Sequence, residues 1–233
     1  MTPDQLVLLP LWYAVFLLSI TCHEAAHAFA AHRGGDPTAY LGGQSTLNPL
    51  PHVRREPFGT IVVPLLSFLL MGWMMGWASA PYDPSWEDRH PRRAATMAAA
   101  GPLANLLLAA AGFTLLKAGL AAGWWGPDLG RYYDLDGLVR PMVEPSPLLD
   151  ALGRLGSILF SLNLLLFVFN LIPLPPLDGA AVLSGWFEPA RRLRDSLRRN
   201  PAGGLIGLLV AWYAIRYLFG PIYRVAAGWL FAI

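Results

Sequence analysis

The chain has 233 residues, 55% of them hydrophobic and only 14% charged, with a formal net charge of +2 and a mean hydropathy of +0.44. Ordinary soluble domains carry roughly 25% charged residues, so this composition excludes a soluble globular protein, and so small a net charge gives no footing for nucleic acid. A single cysteine, Cys22, excludes an internal disulfide.

Five apolar stretches approach or reach the roughly 20 residues that cross a bilayer as a helix. The first, 5–32, is predicted to be a helix ended by the breaker cluster Gly34-Gly35-Asp36-Pro37. It lacks a basic leader, so a cleavable signal is not expected. Polar residues follow, and 38–46 can form short strands, a small β element after the first helix. The second stretch, 58–80, contains Pro64, Gly72 and Gly76, which suits a re-entrant or broken segment. The third, 94–122, is rich in Ala and Leu. A polar loop with Asp128, Asp134, Asp136, Glu144 and Asp150 comes next, and Lys117 and Arg154 can snorkel toward it. The fourth, 151–172, runs into Pro173-Leu174-Pro175-Pro176-Leu177-Asp178-Gly179. Arginines 191, 192, 194, 198 and 199 are then expected at anionic lipid. The fifth covers 203–219, where Gly220-Pro221 is predicted to interrupt it. The expected fold is an all-α polytopic membrane protein: about four full transmembrane helices plus a re-entrant or broken segment, in a single domain over 1–233.

Orientation follows from the Lys/Arg bias of the loops. If every stretch crosses, the basic residues split eight to six and decide little. If 58–80 re-enters instead, loops 33–57, 81–93 and 180–201 share one side, with eleven basic residues against three. This positive-inside pattern places the ends of the first and fourth helices together at the cytoplasmic face.

The first apolar helix contains His23-Glu24-Ala25-Ala26-His27. Histidines four apart lie on one helical face, so both imidazoles can reach one metal ion. Glu24 is positioned to address a water on that metal as a general base. Ionisable side chains in hydrocarbon are costly and are functional by default. A catalytic zinc needs a third protein ligand. Arg33 occupies the position where an extended three-histidine motif would place it, and His32 points to another face. Glu56 lies in a polar loop. Asp178 follows the Pro-rich break at the same membrane face, although Asp before Gly-Ala-Ala-Val-Leu also suits a helix N-cap. His52 and His90 fall in polar loops and read as solvated, with His52 close enough in sequence context to approach the site. Cys22 is turned away from His23 and reads as a packed thiol. Asn105, Asn163 and Asn170 are amides in apolar helices. They serve either as interhelical hydrogen-bonding groups or as holders of a substrate backbone or oxyanion beside the metal.

Three motifs, His23-Glu24-Ala25-Ala26-His27, Gly101-Pro102-Leu103-Ala104-Asn105 and Asn170-Leu171-Ile172-Pro173-Leu174-Pro175-Pro176-Leu177-Asp178-Gly179, together resemble the site-2 protease family of intramembrane zinc metalloproteases. Gly35-Asp36-Pro37-Thr38-Ala39 and Leu47-Asn48-Pro49 also look like its short bacterial members, and 233 residues leave no room for an appended PDZ or CBS module. Ala26 departs from the glycine many members have before the second histidine. The resemblance implies one catalytic Zn2+ held by His23, His27 and Asp178, with Glu24 as catalytic base and Asn105 and Asn170 at the substrate or oxyanion. It implies transmembrane protein substrates cleaved in regulated intramembrane proteolysis, at a bacterial inner membrane with the site toward the cytoplasm. Two other readings remain at this level: a catalytically silent substrate-binding pseudoprotease and a metal-handling transporter. The intact Glu24 argues against the first, and the lack of inverted repeats against the second.

Overall fold

The computed structural model describes residues 6–128, 134–143 and 146–232. The expected first helical residue, Gln5, and the acidic Glu144 lie outside the described residues. Four helices are long and apolar enough to cross a membrane: α1 (Leu9–Gly34), α6 (Pro91–Ala121), α7 (Pro147–Asn170) and α10 (Gly203–Phe231). Short helices fill the intervals: α2 (Thr38–Leu41), α3 (Leu50–Arg55), a π-turn Phe58–Val62 leading into α4 (Val63–Met71), α5 (Pro84–Arg89), α8 (Asp178–Trp186) and α9 (Glu188–Arg199). The chain is an all-α polytopic membrane protein.

Local chemistry sets the helix limits. Proline occupies the first turn of α1, α6 and α7, where its missing N–H costs nothing. Ser146 caps α7 by accepting from the Leu149 N–H. Helix α1 stops at Gly35, whose φ of 99° is left-handed and whose N–H returns to the Ala31 and His32 carbonyls.

The second apolar stretch does not cross. Phe58–Met71 is helical for about 21 Å at 1.5 Å per residue, short of a hydrocarbon core of about 30 Å. Gly72, at φ 79°, turns the chain back. The returning limb is held by Met75 N–H to Ser67 Oγ and Trp77 N–H to the Gly59 carbonyl. It passes so close that a Cβ on Gly76 would lie 2.2 Å from the Gly59 carbonyl oxygen. At the base, Ser79 Oγ donates to Glu56 Oε1 (2.7 Å) and Gln44 Nε2 to the Ser79 carbonyl. The end of α1 and the start of α6 are also joined, since Arg93 Nη1 and Trp86 Nε1 both donate to the Gly34 carbonyl. The intervening residues therefore leave and return at one end of the helix pair.

Four sequence expectations are corrected. The stretch 38–46 holds no strand: Asp36 accepts from the Thr38 N–H and hydroxyl and starts helix α2 instead. The small β element lies downstream of the second span, where β1 (Trp125–Pro127) pairs antiparallel with β2 (Val139–Pro141). Gly220-Pro221 does not interrupt the last helix, which continues to Phe231; a membrane helix tolerates proline where its surroundings meet the freed backbone group. The arginine stretch does not all face lipid, because Arg194 is buried on Glu87 (2.6 Å), which Arg198 also reaches. Finally, Lys117 donates to the last carbonyls of α10 rather than reaching the acidic loop, while Arg154 does pair with Asp150.

The two larger clusters of apolar side chains join the spans, and a smaller one gathers Ala31, Trp86, Ala94 and Met97. Trp12, Phe16, Phe68, Met74, Ile158 and Leu162 join α1, α4 and α7. Leu116, Trp125, Leu138, Phe160, Ala211, Ile215 and Tyr223 join α6, α7, α10 and the hairpin.

Candidate active site

His23 and His27 project one turn apart from α1, and Asp178 meets them from the first turn of α8. His23 Nε2 lies 3.1 Å from Asp178 Oδ2, His27 Nε2 lies 3.3 Å from Asp178 Oδ1, and the two Nε2 atoms are 3.0 Å apart. A tetrahedral zinc with bonds of about 2.0–2.1 Å sets its ligand atoms about 3.3 Å from one another, so this triangle has the size of one face of such a site. Among the described residues this is the metal-competent cluster.

The hydrogen bonds behind the ring atoms decide what they are. His27 Nδ1 lies 2.8 Å from the Met97 carbonyl, which can only accept, so Nδ1 carries the proton. His23 Nδ1 lies 2.6 Å from Asn105 Oδ1. Asn105 Nδ2 in turn donates to Asn163 Oδ1 (2.9 Å), and Asn163 Nδ2 donates to Ser19 Oγ (2.9 Å) and the Leu159 carbonyl. The chain of donors fixes the amide orientations and leaves His23 Nδ1 as donor. Both Nε2 atoms are therefore bare lone pairs. They face each other and a carboxylate, three acceptors with no proton between them, an arrangement that only a cation makes favourable. Asp178 Oδ2 is buried with no hydrogen-bond partner. Asp178 does not cap its helix; Leu177 holds that position and no side chain caps α8.

Gly101 explains how α6 comes so close. A Cβ there would lie 2.5 Å from His23 Nε2 and 2.4 Å from His27 Nε2. The donor set, the orphaned carboxylate oxygen and this space together fit a zinc ion.

The other candidates distribute clearly. Glu24 is 7% exposed, and its carboxylate makes no hydrogen bond among the described residues. Asn105 is fully buried behind His23, with both ends of its amide engaged. Asn170 is half-buried at the end of α7, and its side chain makes no hydrogen bond among the described residues. Glu56 is held by Ser79. His32 stacks on Tyr40. His52 is not solvated: it is fully buried on α3, bonded to the Thr46 carbonyl and apart from the metal cluster. His90 precedes the first turn of α6. Met97, Gly101 and Ser19 were not anticipated; only Gly101, inside a recognised motif, left a sequence signal.

A groove of about 440 Å³ opens beside the centre, lined by Cys22, Ala25, Ala26 and Phe29 of α1, Ala104 and Leu107 of α6, and the non-helical residues 45–47. Cys22 faces this groove.

The model of peptidase family M50 matches residues 12–214. YwhC of Bacillus subtilis (strain 168) is 35% identical over 88% of this chain and 81% of its own length. Rip2 of Mycobacterium tuberculosis (strain H37Rv) is 31% identical over 94% of this chain and 71% of its own length. Both carry names that propose zinc-metalloprotease activity for them. No solved structure matches the chain.

Proposed function

The chain belongs to peptidase family M50 and is a membrane metalloprotease, and from that premise we propose that it hydrolyses a peptide bond within or near the transmembrane segment of membrane-protein substrates, in regulated intramembrane proteolysis. The observation that carries this reading is the convergence of three bare acceptors, His23 Nε2, His27 Nε2 and the Asp178 carboxylate, beside an unengaged Glu24.

One zinc ion fits this set, and when bound it supplies Lewis acidity and an acidified water at neutral pH. His23, His27 and Asp178 hold it. Asn105 and the Met97 carbonyl keep each imidazole in the tautomer that presents Nε2. Glu24 takes a proton from the attacking water and delivers it to the departing amide nitrogen. Asn170 is free to donate to the substrate backbone. Asn105, which the sequence also assigned to substrate or oxyanion, instead positions His23.

A peptide bond in a helix is shielded by its own hydrogen bonds, so the substrate must unwind. The groove between α1 and α6 supports an extended substrate backbone there. Residues 45–47, whose backbone N–H groups make no hydrogen bond among the described residues, offer it an edge. The arginine bias supports a bacterial inner membrane with the site toward the cytoplasm.

The test is reconstitution of the chain and its Glu24→Gln variant in vesicles with a single-span model substrate, with zinc measured on both. Cleavage is expected to fall by about 100-fold or more, with zinc retained. Unchanged cleavage in the variant would overturn the assignment of Glu24, and zinc flux without cleavage would favour a transporter.

A further inference from the structure

Charged residues of the four spans otherwise lie within about two turns of a helix end or at the metal centre. Arg216 does not. It sits about 20 Å along a helix about 43 Å long at 1.5 Å per residue, the midpoint of α10, the least buried of the spans. Its side chain is exposed, as are Tyr213 and Tyr217, each 58%. The guanidinium lies 4.2 Å from the Tyr213 ring centre and 4.9 Å from that of Tyr217, and Nη2 donates to the Tyr217 hydroxyl at 3.0 Å. The two hydroxyls are 3.1 Å apart. Among the described residues no carboxylate pairs with Arg216.

A bare guanidinium at mid-bilayer is costly. With α10 centred on a hydrocarbon core of about 30 Å, its midpoint is about 15 Å from either edge, too far for snorkelling to a headgroup. Two tyrosines orient the cation and cover one side of it, but they do not neutralise it. A second copy of this chain docked by two-fold symmetry on the same face would oppose one Arg216 to another. What complements the face is a carboxylate carried at the same depth. Gly220, one turn further along, has nothing within 4 Å of its Cβ position, so a partner backbone can approach closely there.

We propose that Tyr213, Arg216, Tyr217 and Gly220 form a docking face for a membrane-spanning helix that carries one Asp or Glu at mid-bilayer depth, paired bidentately with Arg216. Other positions of α10 pack toward the surroundings of the metal centre. On the same helix, a Cβ at Gly207 would lie 1.8 Å from the carbonyl oxygen of Pro175, in the loop that delivers Asp178. Trp212 stacks on Trp73 of the re-entrant limb, centroids 6.1 Å apart at 4°.

The experiment measures energy transfer between the full chain and labelled Leu/Ala membrane-spanning peptides in phosphatidylcholine vesicles at pH 8, with one central Glu, a central Gln, or Glu near one end. The central-Glu helix is expected to bind at least tenfold more tightly than the other two. Arg216→Gln should abolish that preference while keeping its zinc, which shows it is folded. Arg216→Glu should restore tenfold preference when the peptide carries a central Lys. Equal binding of the Glu and Gln helices, or a preference that survives Arg216→Gln, overturns the proposal. So does Tyr217→Cys cross-linking between copies that excludes the peptide, which would give the face to a second copy.

Discussion

Two groups of ionisable side chains lie along the membrane-spanning helices, one inside the bundle and one on its outer face, and they meet the same cost in opposite ways. At the metal centre, His23, His27 and Asp178 come from two helices and are backed by a third and fourth: α6 contributes Asn105 and the Met97 carbonyl, and α7 contributes Asn163. Each donor behind the lone pairs is matched, and the bare ligand atoms face one another where a cation fits. On α10, Arg216 is matched only within its own helix, by Tyr213 and Tyr217, and its charge faces outward. The first arrangement is closed and needs an ion. The second is open and needs a partner. A closed network should transmit damage, whereas the open one should leave the rest of the protein unaffected when it is changed.

The largest effect should follow from Asp178→Ala. Two neutral imidazoles alone hold zinc poorly, so metal analysis of the purified variant should show zinc reduced to below about a tenth per chain. Affinity should fall by more than the roughly 100-fold typical of a lost histidine partner. Arg216→Gln, in the open group, should retain full zinc. Equal zinc loss in both variants would break the contrast. Next comes Gly101→Ala. The added methyl would stand 2.4–2.5 Å from both Nε2 atoms, so α6 must back away and take Asn105 with it. Zinc affinity, titrated against a chelator, should fall about 100-fold, while Gly220→Ala, which meets nothing, should leave it unchanged.

Smaller changes separate positions along the hydrogen-bond chain. Asn105→Ala frees the His23 ring to rotate and to shift its proton to Nε2, and should lower zinc affinity by about 10-fold to 100-fold. Asn163→Ala is one link further from the metal and should cost severalfold less. An equal effect from both would mean that the two asparagines act by packing rather than by orienting His23.

Much of this was legible from residue order. Two histidines four apart on a helix must share a face, but Asp178 after the Pro-rich break suited a helix N-cap equally well, and only the resemblance to a known family completed the metal set before any coordinates. Its support was not legible. Whether Asn105 faces a substrate or the back of His23 depends on the rotation and depth of α6, which Gly101 permits but does not specify. The re-entrant stretch was legible because its glycines and proline agree with the arginine bias. The helix at 38–41 was not, because a single side chain, Asp36, overrides the local pattern. The 125–141 hairpin was missed because strands of three residues carry no period, and its pairing is fixed by Trp125 and Leu138 burying against α6 and α7. The continuation of α10 through Pro221 was missed because a rule drawn from water-soluble helices was applied to a membrane helix.

Asp36 provides the gentlest test, outside both groups but tied to the end of α1 that carries the histidines. Its Oδ1 accepts from the Thr38 N–H and hydroxyl, and its Oδ2 from the Asp83 N–H at 2.8 Å, which joins the start of the 35–92 excursion to its return. Burial pushes this carboxyl up, but the hydrogen bonds from the Thr38 hydroxyl, the Asp83 N–H and the Thr38 N–H together outweigh it and hold the group below its ordinary value. A carboxyl lowered in the folded state contributes stability that is complete above its unfolded value, near pH 4, and is lost as pH falls through the lower folded value. Asp36→Asn should therefore destabilise the protein by about 2 kcal/mol at neutral pH, the scale of hydrogen bonds to a charged group, and should remove part of the acid-side decline. Thermal unfolding in detergent between pH 7 and pH 3 reads both: the two proteins should converge toward the acid end, and parallel curves would show that the Asp36 charge plays no part in fastening the excursion to α1.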